Sequence, residues 1–190
     1  PADPDSEYGW EKLFSERMYF AFNRNHGLDV KVARFHNIFG PEGAWRGGRD
    51  KAPAAISRKV AEAEDGGKIE IWGDGNQTRS FLYIEECLDG IFRLMDHPSF
   101  RGPVNVGSEE MVSINQLVDL VSDVAGKNLK RVHVEGPMGV RGRNSHNDLI
   151  ERQLSWAPSK PLRYGIEKTY KWIDEQVKKA RAEEGDNYKS

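Results

Sequence analysis

The sequence of 190 residues predicts an α/β fold. Two kinds of segment alternate along the chain. One kind has the alternating, β-branched pattern of strands, and the other has apolar residues that recur at helical spacing. Hydrophobic residues make up 37% of the chain, charged residues 31%, and the five Trp, eight Phe and six Tyr supply bulk for a core. We therefore expect a soluble, folded protein rather than a disordered one.

The composition argues against several classes of partner. A formal charge of -2 gives no electrostatic reason to expect nucleic acid, and no apolar run approaches the roughly 20 residues of a membrane helix. The single cysteine, Cys87, excludes an internal disulfide and is expected to be inert packing in a reducing, cytoplasmic compartment. The five histidines are scattered without a His-x-x-x-His pair, so no metal site is expected.

The first 51 residues are predicted to contain one helix, one strand and a long loop. Ser6 can cap a helix over 6–26 that carries an apolar stripe, and Gly27 stops it. The alternating pattern of 29–35 predicts a strand. The glycine-rich stretch 36–51 is expected to be a loop, and loops of that length in compact domains are often functional.

From residue 52 onward the chain keeps alternating between the two periodicities. The patterns predict, in order, helix 52–64, strands 68–72 and 80–84, helix 85–95, strand 103–106, helix 114–125, strand 130–134, and helices 148–154 and 162–181. Ser113 can cap the helix that follows it, and a loop with glycines and arginines fills 136–147. The polar tail 182–190 is expected to be frayed.

Tyr8 and Lys12 lie four residues apart and so share one face of the first predicted helix. A tyrosine needs help to act as a base, because its reference pKa is about 10, and a nearby ammonium group favours the tyrosinate. Such a pair could move a proton to or from a hydroxyl while a hydride moves elsewhere. Taken alone, the spacing is more often that of a surface pair.

Two consecutive segments place polar residues beside glycines. Asn37 follows the strand predicted over 29–35 and precedes Gly40-Pro41, at the kind of strand end where α/β sheets bind ligands, although it could simply cap the turn. The glycines in the segment 45–53 let the backbone approach a ligand. The arginines of this segment and Lys51 could meet a phosphate or serve as an acid. A solvated basic loop is the alternative.

Two later segments carry arginines that could bind phosphate. Arg79 opens a strand beside amide and hydroxyl groups, and its guanidinium fork suits a phosphate. Arg141 and Arg143 flank a glycine and suggest a clamp for a diphosphate. Each of these arginines could instead form a surface salt bridge.

Taken in order, the motifs are much more specific than any one alone. They are Tyr8-x-x-x-Lys12, Arg34-x-x-Asn37-x-x-Gly40-Pro41, Gly73-Asp74-Gly75-x-x-x-Arg79 and Val104-Asn105-Val106-Gly107. This order resembles the extended short-chain dehydrogenase/reductase family, the NAD-dependent epimerases and dehydratases. The loops around Lys51, Arg79 and Arg143 are similar to those of the nucleotide-sugar epimerases that act on GDP-mannose.

The resemblance implies the C-terminal part of a Rossmann-type fold followed by a smaller α/β domain. Residues 1–39 would end the Rossmann domain, residues 40–190 would form the substrate-binding domain, and 85–107 would return to the Rossmann sheet. The chain begins at Pro1 without Met and lacks a Gly-x-Gly-x-x-Gly between strand and helix. We therefore expect a fragment that lacks the NAD-fingerprint half and is inactive alone.

The resemblance also implies a reaction, the NAD-dependent epimerisation of GDP-mannose at C3 and C5 through a 4-keto intermediate to GDP-L-galactose. Tyr8 would help oxidise C4, Lys12 would orient Tyr8 and the nicotinamide ribose, and Lys51 would be one member of an acid/base pair. The other member is a cysteine that this chain does not contain. The residues implied to contact the GDP-sugar are Asn37, Asp50, Lys51, Ala52, Lys59, Gln77, Thr78, Arg79 and Arg143.

The partners implied are a nucleotide sugar and possible self-association as a homodimer, with no nucleic acid and no membrane. Two alternatives stay open. The first is a different nucleotide-sugar epimerase or a 4,6-dehydratase of the same family. The second is a catalytically silent module that binds a nucleotide sugar.

Overall fold

The computed structural model of the chain describes residues 3–4, 6–136 and 142–188, and describes only the backbone of Arg143 and Asp186. The helices are α1 (Glu7–His26), α2 (Ala52–Glu62), α3 (Ile84–Asp96), α4 (Ile114–Ala125), α5 (Asp148–Leu154) and α6 (Leu162–Glu184). The strands are β1 (Ala33–Phe35), β2 (Ile38–Phe39), β3 (Lys68–Trp72), β4 (Thr78–Ser80), β5 (Leu82–Tyr83), β6 (Val104–Val106), β7 (Met111–Ser113), β8 (Lys130–Val134) and β9 (Gly142–Arg143).

Most elements lie where the sequence predicts them, and the bounds of β3, α4, β8 and α5 agree to the residue. The predicted strand over 80–84 is instead divided at Phe81, because β4 pairs with β7 and β9 whereas β5 pairs with β2. The buried side chain of Phe81 fills the core at this change of sheet. The short strands β2, β7 and β9 were missed, since two or three residues carry too little periodicity to identify a strand.

The described residues build two main apolar cores. In the larger core, α2, α4 and α6 pack around β3, and Val60, Leu117 and Ile166 are fully buried. The smaller core lies around the parallel pair of β1 and β6, which α3 and α5 cover with Leu94 and Ile150. The parallel pair of β2 and β5 connects the two regions.

Local signals explain where α2 and α4 begin and end. Pro53 stands in the first turn of α2, where its missing N–H costs no helical hydrogen bond. Ser113 and Gln116 form a reciprocal capping box at the start of α4. Gly126 ends α4 in the left-handed conformation, with φ 66°.

The apolar stripe of the first helix is largely exposed. Ser6 caps α1 and Gly27 ends it as predicted, but none of its residues is buried. Trp10, Phe14 and Phe22 are 54%, 62% and 47% exposed. Within the described residues, no element covers this face of α1, so its side chains remain in solvent.

The described part of the tail, 182–188, also differs from the expectation, because it folds back instead of fraying. Helix α6 continues to Glu184, and a short 3₁₀ turn over Gly185–Asn187 follows. Tyr188 is partly buried, and its hydroxyl donates a hydrogen bond of 2.5 Å to Glu62 Oε1. Among the described helices, none is long and apolar enough to cross a membrane.

Candidate functional site

A cavity of about 200 Å³ lies where the start of α2 meets β2 and β4. Its lining is Asn37, Ile38, Lys51, Ala52, Pro53, Gln77, Arg79, Phe81 and Ile114. Five of the residues predicted to bind substrate are in this lining: Asn37, Lys51, Ala52, Gln77 and Arg79. The fold thus gathers into one cavity residues that come from separate loops of the sequence.

The start of α2 gives this cavity its positive character. Lys51 is the N-cap residue of α2 in extended conformation, and its side chain is exposed and makes no capping hydrogen bond. The N-terminus of a helix carries a partial positive charge and backbone N–H groups without helical partners. Lys51 and Arg79 are the charged residues of the described lining, so the cavity suits an anion.

Asn37 fixes the corner between β1 and β2. Its φ of 47° is left-handed, a conformation that Asn tolerates better than most residues. Its Nδ2 donates a hydrogen bond of 2.9 Å to Ser80 O, and its own carbonyl accepts one of 3.2 Å from Leu82 N. Asn37 therefore lines the cavity and also joins β2 to the β4–β5 segment.

Arg79 lies on β4, the central strand of a three-stranded sheet. Its Nη1 donates a hydrogen bond of 2.7 Å to the carbonyl of Thr78. The register pairs Arg79 with Arg143 of β9, so the two backbones lie side by side. The side chain of Arg143 is not described, and Arg141 lies outside the described residues. Thr78 is not in the described lining of the cavity.

Asp50 and Lys59 were predicted to bind substrate, but their side chains point to other partners. The carboxylate of Asp50 is 7% exposed and lies 3.4 Å from Nη2 of Arg58. Lys59 donates a hydrogen bond of 3.0 Å to the carbonyl of Glu70, on the β3 side of α2. Lys59 comes eight residues after Lys51, which is roughly 12 Å along the helix axis.

Tyr8 and Lys12 line a different cavity, of about 710 Å³, between α1 and β1. The ammonium of Lys12 lies 5.0 Å from the centroid of the Tyr8 ring, which confirms that the two share a helix face. Lys12 Nζ is also 3.4 Å from Glu11 Oε2, and Tyr8 is 70% exposed. The structure does not bring this pair into the cavity that contains Lys51.

An ion pair joins the two elements that border the Tyr8 cavity. Arg34 of β1 donates through Nε to Glu16 Oε1 at 2.7 Å and through Nη2 to Glu16 Oε2 at 2.5 Å. This hydrogen bonding raises the pKa of Arg34 above its ordinary value. Arg34 appeared in the sequence only as part of a motif, and its partner is 18 residues away, beyond the reach of local patterns.

Cys87 is buried in the smaller core, and burial raises the pKa of its thiol to about 11. The thiol is thus a poor nucleophile. In the part of the chain that the structure describes, no group of three or more His, Cys, Asp or Glu side chains could hold a metal ion.

Comparison with known proteins gives a family and two close relatives. Residues 1–107 match the model of the NAD dependent epimerase/dehydratase family. The chain is 48% identical to GDP-mannose 3,5-epimerase of Arabidopsis thaliana, over 98% of this chain and 48% of the relative. It is 47% identical to GDP-mannose 3,5-epimerase 1 of Oryza sativa subsp. indica, over 96% of this chain and 48% of the relative. The chain therefore spans about half the length of these relatives.

The fold is similar to that of a solved epimerase. UDP-glucuronic acid 4-epimerase from Bacillus cereus, in complex with UDP-glucuronic acid and NAD, superposes with a TM-score of 0.79 at 23% identity. The superposition covers 93% of this chain and 55% of the other, and it confirms the predicted α/β fold. Because the family model matches more than half of the sequence, the chain belongs to the NAD dependent epimerase/dehydratase family.

Proposed function

We propose that this chain is the sugar-nucleotide-binding part of an NAD-dependent enzyme that epimerises GDP-mannose at C3 and C5 through a 4-keto intermediate. The observation that carries the proposal is the cavity at the start of α2, where Lys51, Gln77 and Arg79 converge. The 48% identity to the Arabidopsis protein of that name supports GDP-mannose as the substrate.

The charges of the cavity suit the diphosphate of a nucleotide sugar. Arg79 offers a planar fork of donors, which matches phosphate oxygens better than an ammonium does. The N-terminus of α2 adds a partial positive charge beside Lys51. Gln77 and Asn37 add amide groups that can bond to sugar or base hydroxyls and carbonyls.

Lys51 is proposed to exchange a proton with the sugar ring. A ketone at C4 acidifies the protons at C3 and C5, so that a positioned amine or ammonium can remove or return one of them. Lys51 is exposed at the cavity, and its side chain is not engaged in capping α2. The exchange on the opposite ring face needs a second group, which we assign to the part of the relatives that this chain does not span.

Tyr8 and Lys12 are proposed to serve the redox half of the reaction. They are adjacent, exposed and line one cavity, which fits the nicotinamide ribose end of NAD. A bound NAD, held by Tyr8 and Lys12, would supply the hydride acceptor for the oxidation at C4. Tyr8 takes up and gives back the proton of the C4 hydroxyl, and Lys12 orients Tyr8 and the nicotinamide ribose.

The test is a substrate panel on a chimaera in which this chain is joined to the part of the Arabidopsis relative outside the match. We expect turnover of GDP-mannose and preference over UDP-glucose and dTDP-glucose. Preference for a UDP- or dTDP-sugar would instead indicate another epimerase or a 4,6-dehydratase. Binding of GDP-mannose without turnover would indicate a silent module.

A binding measurement on the chain itself checks the role of Arg79. Arg79→Ala should weaken GDP-mannose about 10- to 100-fold in isothermal titration, because charge-assisted hydrogen bonds contribute about 1.5–3 kcal/mol. The matched control is Arg93→Ala on α3, an exposed arginine paired with Asp89, which should leave the affinity unchanged. Equal effects of the two substitutions would remove Arg79 from the site.

A further inference from the structure

The C-terminal end of the chain contacts the loop that leads into Lys51. The hydroxyl of Tyr188 donates a hydrogen bond of 2.5 Å to Glu62 Oε1. The other oxygen of Glu62 accepts one of 3.2 Å from Nη1 of Arg58. Arg58 in turn reaches the loop, where Nη2 lies 3.4 Å from Asp50 Oδ2 and Nε donates to the carbonyl of Trp45 at 3.1 Å. We call these four side chains, Asp50, Arg58, Glu62 and Tyr188, the latch.

The charged members of the latch are largely removed from solvent. The side chains of Asp50, Arg58 and Glu62 are 7%, 13% and 12% exposed. A charge at that depth is stable only while its partners stay in place, since losing one of them leaves the others desolvated and unpaired. The latch therefore has one favoured arrangement, and this arrangement fixes the loop relative to α2.

A second contact holds the other end of the same loop. Arg46 donates a hydrogen bond of 2.7 Å to Glu184, which lowers the pKa of that carboxyl, and its guanidinium lies over the rings of Trp45 and Tyr188. Arg181 also lies against the Tyr188 ring, 5.6 Å from its centroid. Tyr188 thus contacts Arg46 of the loop through its ring and Glu62 of α2 through its hydroxyl.

Between the two anchors, the loop has little packing of its own. Gly47 and Gly48 have φ values of 82° and 76°, and a Cβ built at either position would meet nothing within 4 Å. Glycine adopts positive φ without steric cost and allows more backbone conformations than any other residue. The position of Asp50, and of Lys51 directly after it, therefore depends on the anchors rather than on local packing.

We propose that Arg58 and Tyr188 are positioning residues that hold the segment 45–51 in place and so set Lys51 at the edge of the cavity. Neither residue lines that cavity, so they act through Asp50 and Trp45. The role of Lys51 in this inference rests on the proposed function, whereas the effect on the loop does not.

The Tyr188 hydroxyl is suited to act as a permanent donor. Burial and the bond to Glu62 raise its pKa to about 12, so it stays protonated across the neutral range. Tyr188→Phe removes only this donor and keeps the ring that Arg46 and Arg181 contact. This substitution is mild enough to leave the fold intact.

Hydrogen–deuterium exchange on the whole 190-residue chain tests the effect on the loop. Tyr188→Phe should speed exchange of the amides in 45–51 by at least about threefold, while β3 and α4 keep their protection. The control is Tyr170→Phe, which removes the hydroxyl of a partly buried tyrosine on α6 that packs against the apolar clusters. It should leave the loop unchanged. Unchanged exchange in 45–51 for Tyr188→Phe overturns the proposal.

Arg58→Lys and the chimaera extend the test to catalysis. Arg58→Lys keeps the charge but loses the fork that joins Asp50, Glu62 and Trp45, so it should loosen the loop more than Tyr188→Phe does. In the chimaera, Tyr188→Phe should lower the rate of deuterium uptake from solvent into the sugar about tenfold, with the KM for GDP-mannose within about twofold. A rise in KM with unchanged uptake overturns the positioning of Lys51. Absence of GDP-mannose turnover in the unsubstituted chimaera would refute the proposed function and leave the exchange result standing.

Discussion

The two helices that carry the proposed catalytic residues are held in the fold in opposite ways. Helix α1, with Tyr8, has 20 residues of which none is buried, whereas α2, which follows Lys51, has 11 residues and buries five. Helix α1 is tied to β1 by the ion pair of Arg34 and Glu16. Helix α2 packs between α4 and α6 in the larger core.

The ends of the two helices show the same difference. At the C-terminal end of α2, the ammonium of Lys127 donates hydrogen bonds to the carbonyls of Val60, Ala61 and Ala63 at 2.8, 3.1 and 2.8 Å. These bonds satisfy carbonyls that a helix end leaves without partners. Helix α1 ends at Gly27 with no such contact from elsewhere in the described residues.

The comparison teaches that the described chain packs the surroundings of Lys51 more firmly than those of Tyr8. The surroundings of Lys51 are fixed by burial and by the latch. The surroundings of Tyr8 are an open cavity beside a helix whose large apolar side chains face solvent. We therefore expect the proton-exchange half and the redox half of the reaction to respond differently to substitution.

The largest effect should come from separating the two half-reactions. In the chimaera, Lys51→Ala should still allow reduction of NAD with GDP-mannose, because Tyr8 and Lys12 are intact, but deuterium uptake at C3 and C5 should fall about 10²- to 10⁴-fold. Absorbance of the reduced cofactor measures the reduction of NAD, and mass spectrometry of the sugar measures the deuterium uptake. The control is Lys130→Ala, at an exposed position of β8, which should leave both measurements unchanged. Normal uptake in Lys51→Ala would refute the role given to Lys51.

The next effect should distinguish the two regions by stability. Ile166→Ala, at a fully buried position of the larger core, should lower the free energy of unfolding by about 3–4 kcal/mol. Met18→Ala on α1 removes a side chain that is 40% exposed and should change the free energy of unfolding by less than about 0.5 kcal/mol. Urea unfolding of both variants at two protein concentrations measures this. A similar loss for Met18→Ala would show that α1 is covered, and concentration dependence would identify self-association as the cause.

The smallest of the three effects should come from the latch. Arg58→Ala leaves Asp50 and Glu62 desolvated without a cation and should cost about 2–3 kcal/mol, less than a fully enclosed pair because some solvent contact remains. Arg93→Ala breaks an exposed pair on α3 and should cost less than about 0.5 kcal/mol. Equal midpoints in urea for the two variants would mean that the latch contributes nothing to stability.

Part of the site could be predicted from the sequence because its signals are local or lie in short motifs. The N-cap at Ser6, the spacing of Tyr8 and Lys12, and the turn before Arg79 each depend on a few neighbouring residues, and the structure contains all of them. Asn37 was foreseen at a strand end, where the structure places it in the cavity lining.

Other features could not be predicted because they depend on contacts between distant residues. Tyr188 and Glu62 are 126 residues apart, so nothing near Tyr188 in the sequence distinguishes it from a frayed tail. Asp50 and Lys59, which the resemblance implies as substrate contacts, pair in the structure with Arg58 and with the carbonyl of Glu70, and no local pattern indicates these partners.

The sequence by itself determined the order of the helices and of the longer strands, the caps of α1 and α4, and the residue types that could meet a nucleotide sugar. These follow from periodicity and from hydrogen bonds within a few residues. Only the tertiary structure decided that Lys51 and Arg79 share a cavity, that Tyr8 lies in another, and that the face of α1 is exposed while α2 is buried. Burial and long-range pairing are properties of the packed chain, and no local pattern specifies which partner a side chain will meet.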